Sequence, residues 1–236
     1  MKFSESLLQA TLVKRYKRFL ADIELESGEV ITIHCPNTGS MRRCGTQGSP
    51  VWISRSDNPK RKYPHTWELV RVEGGHLACI NTHRANALVK EAILAGDIKA
   101  LCGYGSVRAE VPYGEERSRI DFLLDAHKQL PQCYVEVKSV TLGMEGGRGL
   151  FPDAVTTRGA KHLRELMAVK EKGARAVLFF CALNSGIESV EPADEIDPEY
   201  GQLLRESVKC GVEVMAYASE ISPDAINLTH AIPVIL

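Results

Sequence analysis

Cys133-Tyr134-Val135-Glu136-Val137-Lys138-Ser139-Val140 reads as a β-strand with charge on one face. Successive side chains on a strand point to opposite sides, so Val135 and Val137 share one face while Glu136 and Lys138 share the other. Upstream, Arg119-Ile120-Asp121-Phe122-Leu123-Leu124 is a second strand. Ile120, Phe122 and Leu124 are expected on one face of it and Asp121 on the other. If the two strands are neighbours, Asp121, Glu136 and Lys138 converge. Two carboxylates at one point suit Mg²⁺ or Mn²⁺, because hard cations prefer oxygen ligands. An ammonium beside them can orient a water or stabilise charge on a phosphate. On spacing alone, an acid, a 14-residue gap and Glu-x-Lys also fit solvated edge residues with a surface Glu–Lys pair.

The surrounding order favours the first reading. Thr82 or Asn81 can cap a helix running to Ala95, with Ala87, Leu88, Glu91, Ala92 and Leu94 at helical spacing and Gly96 as its stop. Strands are expected at 106–112, 119–124 and 133–140, the first two joined by a turn at Tyr113-Gly114-Glu115-Glu116. A glycine-rich loop spans 142–156, and Thr157 can cap a helix over 158–172. Residues 174–182 are almost wholly apolar and read as a strand buried on both faces. A helix over 198–210 and a strand over 212–217 follow. This α/β order resembles the PD-(D/E)XK nuclease core. The resemblance implies a mixed sheet in which Asp121, Glu136 and Lys138 form the catalytic metal site, with Glu91 of the first helix as a further ligand. Ile120 stands where that family usually has proline. Glu110 is a competing acid that also reads as a surface partner of Arg108 or Arg119.

The first 82 residues differ in character. Short strands separated by Glu26-Ser27-Gly28-Glu29, Pro36-Asn37-Thr38-Gly39, Asp57-Asn58-Pro59 and Gly74-Gly75 suggest a five-stranded OB-fold barrel, with 10–25 read as one long β segment. Lys14, Arg15, Lys17 and Arg18 surround Tyr16, and Arg42-Arg43 and Lys60-Arg61-Lys62 add further clusters. Cations that follow a phosphate backbone are what an OB-fold uses to bind strands, so these residues are candidate DNA contacts. Trp52 and Trp67 are expected in the barrel core. In the second module Arg158, Lys161 and Arg164 step by three along a helix and either touch DNA or form a solvated face. His162 is expected to pack or hydrogen-bond, and Asp153 either adds a ligand or shapes its loop.

The chain has 236 residues and a formal charge of −1. That near-neutral total masks +5 over residues 1–72, +2 over 73–187, −6 over 188–199 and −2 thereafter. The acidic stretch reads as a solvated loop. Charge per module, not in total, bears on nucleic-acid binding. Hydrophobic residues at 44% and charged residues at 25% exclude a disordered or collagen-like chain. No apolar run reaches a membrane-spanning length and no signal peptide opens the chain. Seven widely spaced cysteines, without a CxxC pair, argue for a reducing, cytoplasmic setting, with most of them buried.

A second resemblance spans the whole chain. Lys14 to Asp22, His34-Cys35-Pro36-Asn37-Thr38-Gly39, residues 60–69, Glu116 to Phe122, Tyr134 to Leu142, Phe151 to Thr156 and the Arg158-Gly159 to Leu166 stretch resemble the sugar fermentation stimulation protein A (SfsA) family of bacteria and archaea. That resemblance implies an OB-fold over 1–82, a nuclease-like domain over 83–236, DNA binding without marked sequence preference, and a regulatory role in sugar (maltose) use. The expectation is a DNA-binding protein with a Mg²⁺-dependent nuclease-type site; the alternative is a non-catalytic DNA-binding regulator that keeps the fold. A homodimer is open in either case, and a sugar-metabolising enzyme has no supporting motif.

Overall fold

The computed structural model describes residues 1–236. The first six strands are β1 (Leu8–Tyr16), β2 (Leu20–Leu25), β3 (Val30–His34), β4 (Pro50–Arg55), β5 (His65–Arg71) and β6 (Leu77–Cys79). They lie in the order β3-β2-β1-β4-β5-β6, and a parallel bridge between His34 and Thr66 joins β3 to β5. That bridge closes a five-stranded barrel, with β6 added outside it. Ile23, Ile33, Val51, Ile53, Trp67 and Val70 fill the interior. Trp67 is fully buried and donates its indole N–H to the Leu69 carbonyl at 2.9 Å.

Residues 10–25 are not one strand. Lys17 and Arg18 adopt φ of 49° and 65°, and the chain reverses so that Tyr16 pairs with Leu20. Neither glycine nor asparagine marks this turn. Arg15 Nη2 donates to the Arg18 carbonyl at 2.8 Å, which compensates the local left-handed backbone.

The second half contains α1 (His83–Ala95), β7 (Ser106–Tyr113), β8 (Ser118–Asp125), β9 (Cys133–Val140), β10 (Leu142–Gly143), β11 (Arg148–Phe151), α2 (Thr157–Glu171), β12 (Arg175–Ala182), β13 (Ser189–Pro192), α3 (Pro198–Lys209), β14 (Glu213–Ile221) and β15 (Ile226–Ile232). The large sheet runs β15-β14-β12-β9-β8-β7. β12 is parallel to both β9 and β14, and the other pairings are antiparallel, so the sheet is mixed. β12 is buried on both faces, as its apolar run required. Val177, Phe179 and Cys181 pack in one core with α1, while Ala176, Leu178, Phe180 and Ala182 pack in a second core with α2 and α3. Helix α1 stops where Gly96 takes φ 78°, the left-handed cap that glycine adopts without strain.

The acidic stretch after Glu188 is not a solvated loop. Ser189–Pro192 is β13, which pairs in parallel with β11. Glu191 accepts from Arg148, Asp194 from Arg205, and the buried Asp197 accepts from the Tyr200 amide to cap α3 and from the Thr156 amide. The charge run therefore holds strands and helices together.

Barrel and sheet are joined tightly. Trp52 and Leu69 of the barrel and Cys79 of β6 pack in the α1 core with Leu88, Phe122 and Val135, so Trp52, unlike Trp67, lies outside the barrel's own core. Beside this contact Glu68 of β5 is buried at 1% exposure. It accepts from Arg84 of α1 at 2.8 and 3.0 Å, from Asn81 at 2.9 Å and from Ser54 at 2.8 Å. A buried carboxylate is tolerated only with such a full set of donors. Five of the seven cysteines are buried and none is in a disulfide; burial pushes the Cys181 thiol up to about 12, which suits a packing residue and not a nucleophile.

Candidate functional site

The β8–β9 ladder pairs Leu124 with Cys133, Leu123 with Tyr134 and Phe122 with Val135, and then stops. At the next position the Asp121 carboxylate accepts the Val137 N–H at 2.7 Å through Oδ2. Its Oδ1 accepts from Asn86 of α1 at 2.7 Å. Opposite, the regular pairing of β7 with β8 skips Glu110, which sits at φ 55°. The face alternation breaks here as well. Ile120 packs in the α2–α3 core, while Phe122 and Leu124 pack in the α1 core, so the three do not share one face. The irregularity falls on the residue that carries the acid.

Glu136 is 2% exposed. Its Oε1 accepts from Lys138 Nζ at 2.7 Å and contacts His162 Nδ1 of α2. Lys138 Nζ also lies 3.0 Å from His162 Nδ1, and Arg158 Nε approaches His162 Nε2 at 3.4 Å. The solvated-edge reading fails on this burial. Glu136 Oε2 is buried and has no hydrogen-bond partner. Burial pushes the Glu136 carboxyl up, but Lys138 and His162 outweigh it and hold the group below its ordinary value. Asp121 goes the other way. Burial first, and the Glu136 charge second, lift its carboxyl to about 6.

Two ionisable carboxylates and an orphaned buried oxygen make a donor set that fits a hard divalent cation. No group of three or more His, Cys, Asp or Glu placed to hold a metal ion is found in the structure; Asp121 and Glu136 are the two carboxylates that act on each other here.

Glu91 does not join it. Its side chain is 60% exposed, with Oε1 3.1 Å from the Met1 ammonium. Ala85, Leu88, Val89, Ala92 and Ile93 form the buried stripe of α1, which turns Glu91 away from the sheet and leaves Asn86 beside Asp121. Asp153 is a loop-shaping residue. It accepts from Ser40 Oγ at 3.1 Å and from the Met41 N–H at 2.9 Å, tying the barrel loop after β3 to the second domain. Glu110 is exposed, and only its carbonyl takes Arg119.

The basic residues divide into two groups. Arg15 Nη2 is spent on the carbonyls of Arg18, Asn37 and Gly39, so it braces the loop and is not free for phosphate. Arg18 Nε takes the Thr38 carbonyl, Arg61 takes Thr66, Arg43 pairs with Glu73, Lys14 lies 3.5 Å from Asp22, and Lys161 takes the Glu116 carbonyl. The side chains of Lys17, Arg42, Lys60 and Lys62 make no hydrogen bond or ion pair within the chain.

Two family models divide the sequence as the fold does: "SfsA N-terminal OB domain" matches residues 13–80 and "Sugar fermentation stimulation protein RE domain" matches residues 83–225. The chain belongs to the sugar fermentation stimulation protein family. A sugar fermentation stimulation protein homolog of Pasteurella multocida is 56% identical over 234 residues, covering 97% of each sequence. The SfsA structure from Pyrococcus furiosus, solved in complex with Ca²⁺, matches with a TM-score of 0.89 at 24% identity over 100% of this chain and 98% of that one. The family fold of barrel followed by mixed α/β sheet is thus the fold found here. Within it, Asn86 and His162 are the site neighbours that sequence reading did not assign. Both reach the acids from helices, and only the docking of those helices reveals them. No helix is long and apolar enough to cross a membrane.

Proposed function

We propose that this family member is a divalent-metal-dependent nuclease that acts on DNA with little sequence preference. The reading is carried by Glu136, whose Oε2 is buried without a partner beside a second carboxylate, while its Oε1 meets a lysine at 2.7 Å. A protein that only bound DNA would gain nothing from two carboxylates set against a phosphate backbone. The Pyrococcus furiosus protein of this fold was solved in complex with Ca²⁺, which supports divalent-cation binding in general.

Asp121 and Glu136 would hold Mg²⁺ or Mn²⁺. A bound cation supplies Lewis acidity and a lowered pKa for an attacking water. The remaining work belongs to the chain. Asn86 and the Val137 amide fix the Asp121 carboxylate in orientation. His162 holds Glu136 from the α2 side. Lys138 keeps its ammonium at the site through Glu136 and donates to the water or to a phosphate oxygen. The free cations Lys17, Arg42, Lys60 and Lys62 attract the backbone electrostatically. Any role in sugar fermentation, which the family name carries, is exerted in this reading through DNA.

Cleavage of single- and double-stranded DNA and RNA, with Mg²⁺ or Mn²⁺, tests the proposal. Wild type should cut, and Asp121→Ala and Lys138→Ala should not. Absence of metal-dependent cleavage on every substrate sinks it.

A further inference from the structure

A cavity of about 240 Å³ opens between the end of β9 and the barrel loop after β3. Lys138, Ser139 and Asn86 line it from the nuclease-like side, and Asn37 lines it from the barrel. Asn37 is 6% exposed. Its Oδ1 accepts the Gly39 N–H at 2.8 Å, which fixes the rotamer and assigns the side-chain nitrogen to the other side. That Nδ2 has no acceptor within the protein and is not among the sealed, unpartnered polar atoms. It is a donor presented to the cavity.

The loop bearing it is held on two sides. Arg15 takes the Asn37 and Gly39 carbonyls, and Arg18 takes the Thr38 carbonyl. Asp153 takes Ser40 and Met41, and so turns its Oδ2, on the one carboxylate lining the cavity, away to the loop. The Lys138 ammonium, held by Glu136, and the Asn37 and Asn86 amides, the latter already giving one hydrogen to Asp121, line one space with Asp153. Such a set recognises an oxyanion, and a donor that need not reorganise loses little entropy on binding one.

We infer that Asn37 is a substrate-positioning residue supplied by the barrel: its Nδ2 donates to a non-bridging phosphate oxygen of a nucleic-acid strand whose neighbouring phosphate stands at Lys138. The site is then composite, and the barrel does more than concentrate nucleic acid near it. This inference rests on the proposed nuclease reading and adds a residue to it.

Asn37→Asp is the decisive variant. It keeps the Oδ1 contact to Gly39 and the side-chain shape, but replaces the donor with a charged acceptor. Burying the new charge should lower the melting temperature, so both proteins are compared well below it, with Asn37→Ala as the variant that removes the donor without adding a charge. Affinity for a fluorescein-labelled single-stranded DNA oligonucleotide, measured in Ca²⁺ without turnover, should fall by about tenfold or more. In Mg²⁺ the loss should appear mainly in KM. An oligonucleotide with a neutral methylphosphonate next to the cut site should erase most of the difference between the two proteins. If wild type cleaves and Asn37→Asp cleaves and binds equally well, the inference is overturned while the nuclease reading stands. If wild type binds without cleaving and Asn37→Asp binds more weakly, the phosphate contact holds and the nuclease reading falls. If wild type neither binds nor cleaves, both fall.

Discussion

The Asp121 carboxylate accepts the Val137 amide hydrogen at 2.7 Å, at the point where the β8–β9 ladder ends. A side chain has replaced a strand partner. The sheet therefore splays where its acids lie, and the Asp121 carboxyl is buried with a second carboxylate nearby.

This placement predicts an inverted pH response. Asp121 is lifted to about 6 by burial and by Glu136, from an ordinary value of about 3.9. An acid whose pKa rises on folding holds its proton more tightly when native. Its contribution to stability is complete below about pH 4 and is lost as pH rises through about 6. In chelator-treated protein, the stability difference between wild type and Asp121→Asn should change by on the order of 3 kcal/mol between about pH 4 and pH 7. Denaturant titrations at stepped pH read it. A constant difference would mean that Asp121 is not lifted.

His162 contacts Glu136 from α2 and is buried at 4% exposure. Groups that orient a metal-binding carboxylate typically matter by about 10- to 100-fold in affinity. His162→Ala should weaken Mn²⁺ binding in calorimetry by that amount, and His162→Asn, which can still donate, should recover part of it. Equal affinity in all three proteins removes His162 from the site.

Of the basic residues read as DNA contacts, Lys17, Arg42, Lys60 and Lys62 are the four whose side chains make no hydrogen bond or ion pair within the chain. Neutralising all four should lower the slope of log K against log salt for DNA by about 3, since each phosphate contact contributes roughly 0.7–0.9. Arg15→Ala should act differently. It removes the brace on the Asn37 and Gly39 carbonyls, so thermal stability should drop. An unchanged salt slope in the quadruple variant would clear these residues of contact with the backbone.

Arg84→Met strands the buried Glu68 carboxylate. Removing one partner of such a pair costs about 3–5 kcal/mol, and guanidinium unfolding should show most of it. Combining it with Glu68→Gln should restore a good part, because the uncompensated charge is gone. If the double variant is no more stable than Arg84→Met, the stranded charge is not the cause.

Strand periodicity was enough to place Glu136 beside Lys138 and to find the two-faced burial of β12. It failed at three places for separate physical reasons. Lys17 and Arg18 form a left-handed turn without glycine or asparagine, and the Arg15 side chain holds the Arg18 carbonyl. The acids after Glu188 read as solvated because their partners, Arg148 and Arg205, lie 43 and 11 residues away. Asp121 breaks its strand's alternation, and periodicity assumes that no such break occurs. Glu91 was suggested by resemblance; the spacing read for α1 put it in line with Leu88 and Ala92, whereas the buried stripe is Ala85, Leu88, Val89, Ala92 and Ile93, which leaves it outside. Asn86 and His162 depended on how α1 and α2 dock, which spacing along the chain does not encode.

Trp52, Leu69 and Cys79 share one core with α1 and the sheet. A shared apolar core of this kind opposes hinging between the two lobes. On the proposed reading, the span from a strand gripped by the barrel to the bond facing Lys138 is a fixed ruler. Cuts on an end-anchored oligonucleotide would fall at a constant distance from the anchor, and excising either lobe would erase the measurement together with the fold.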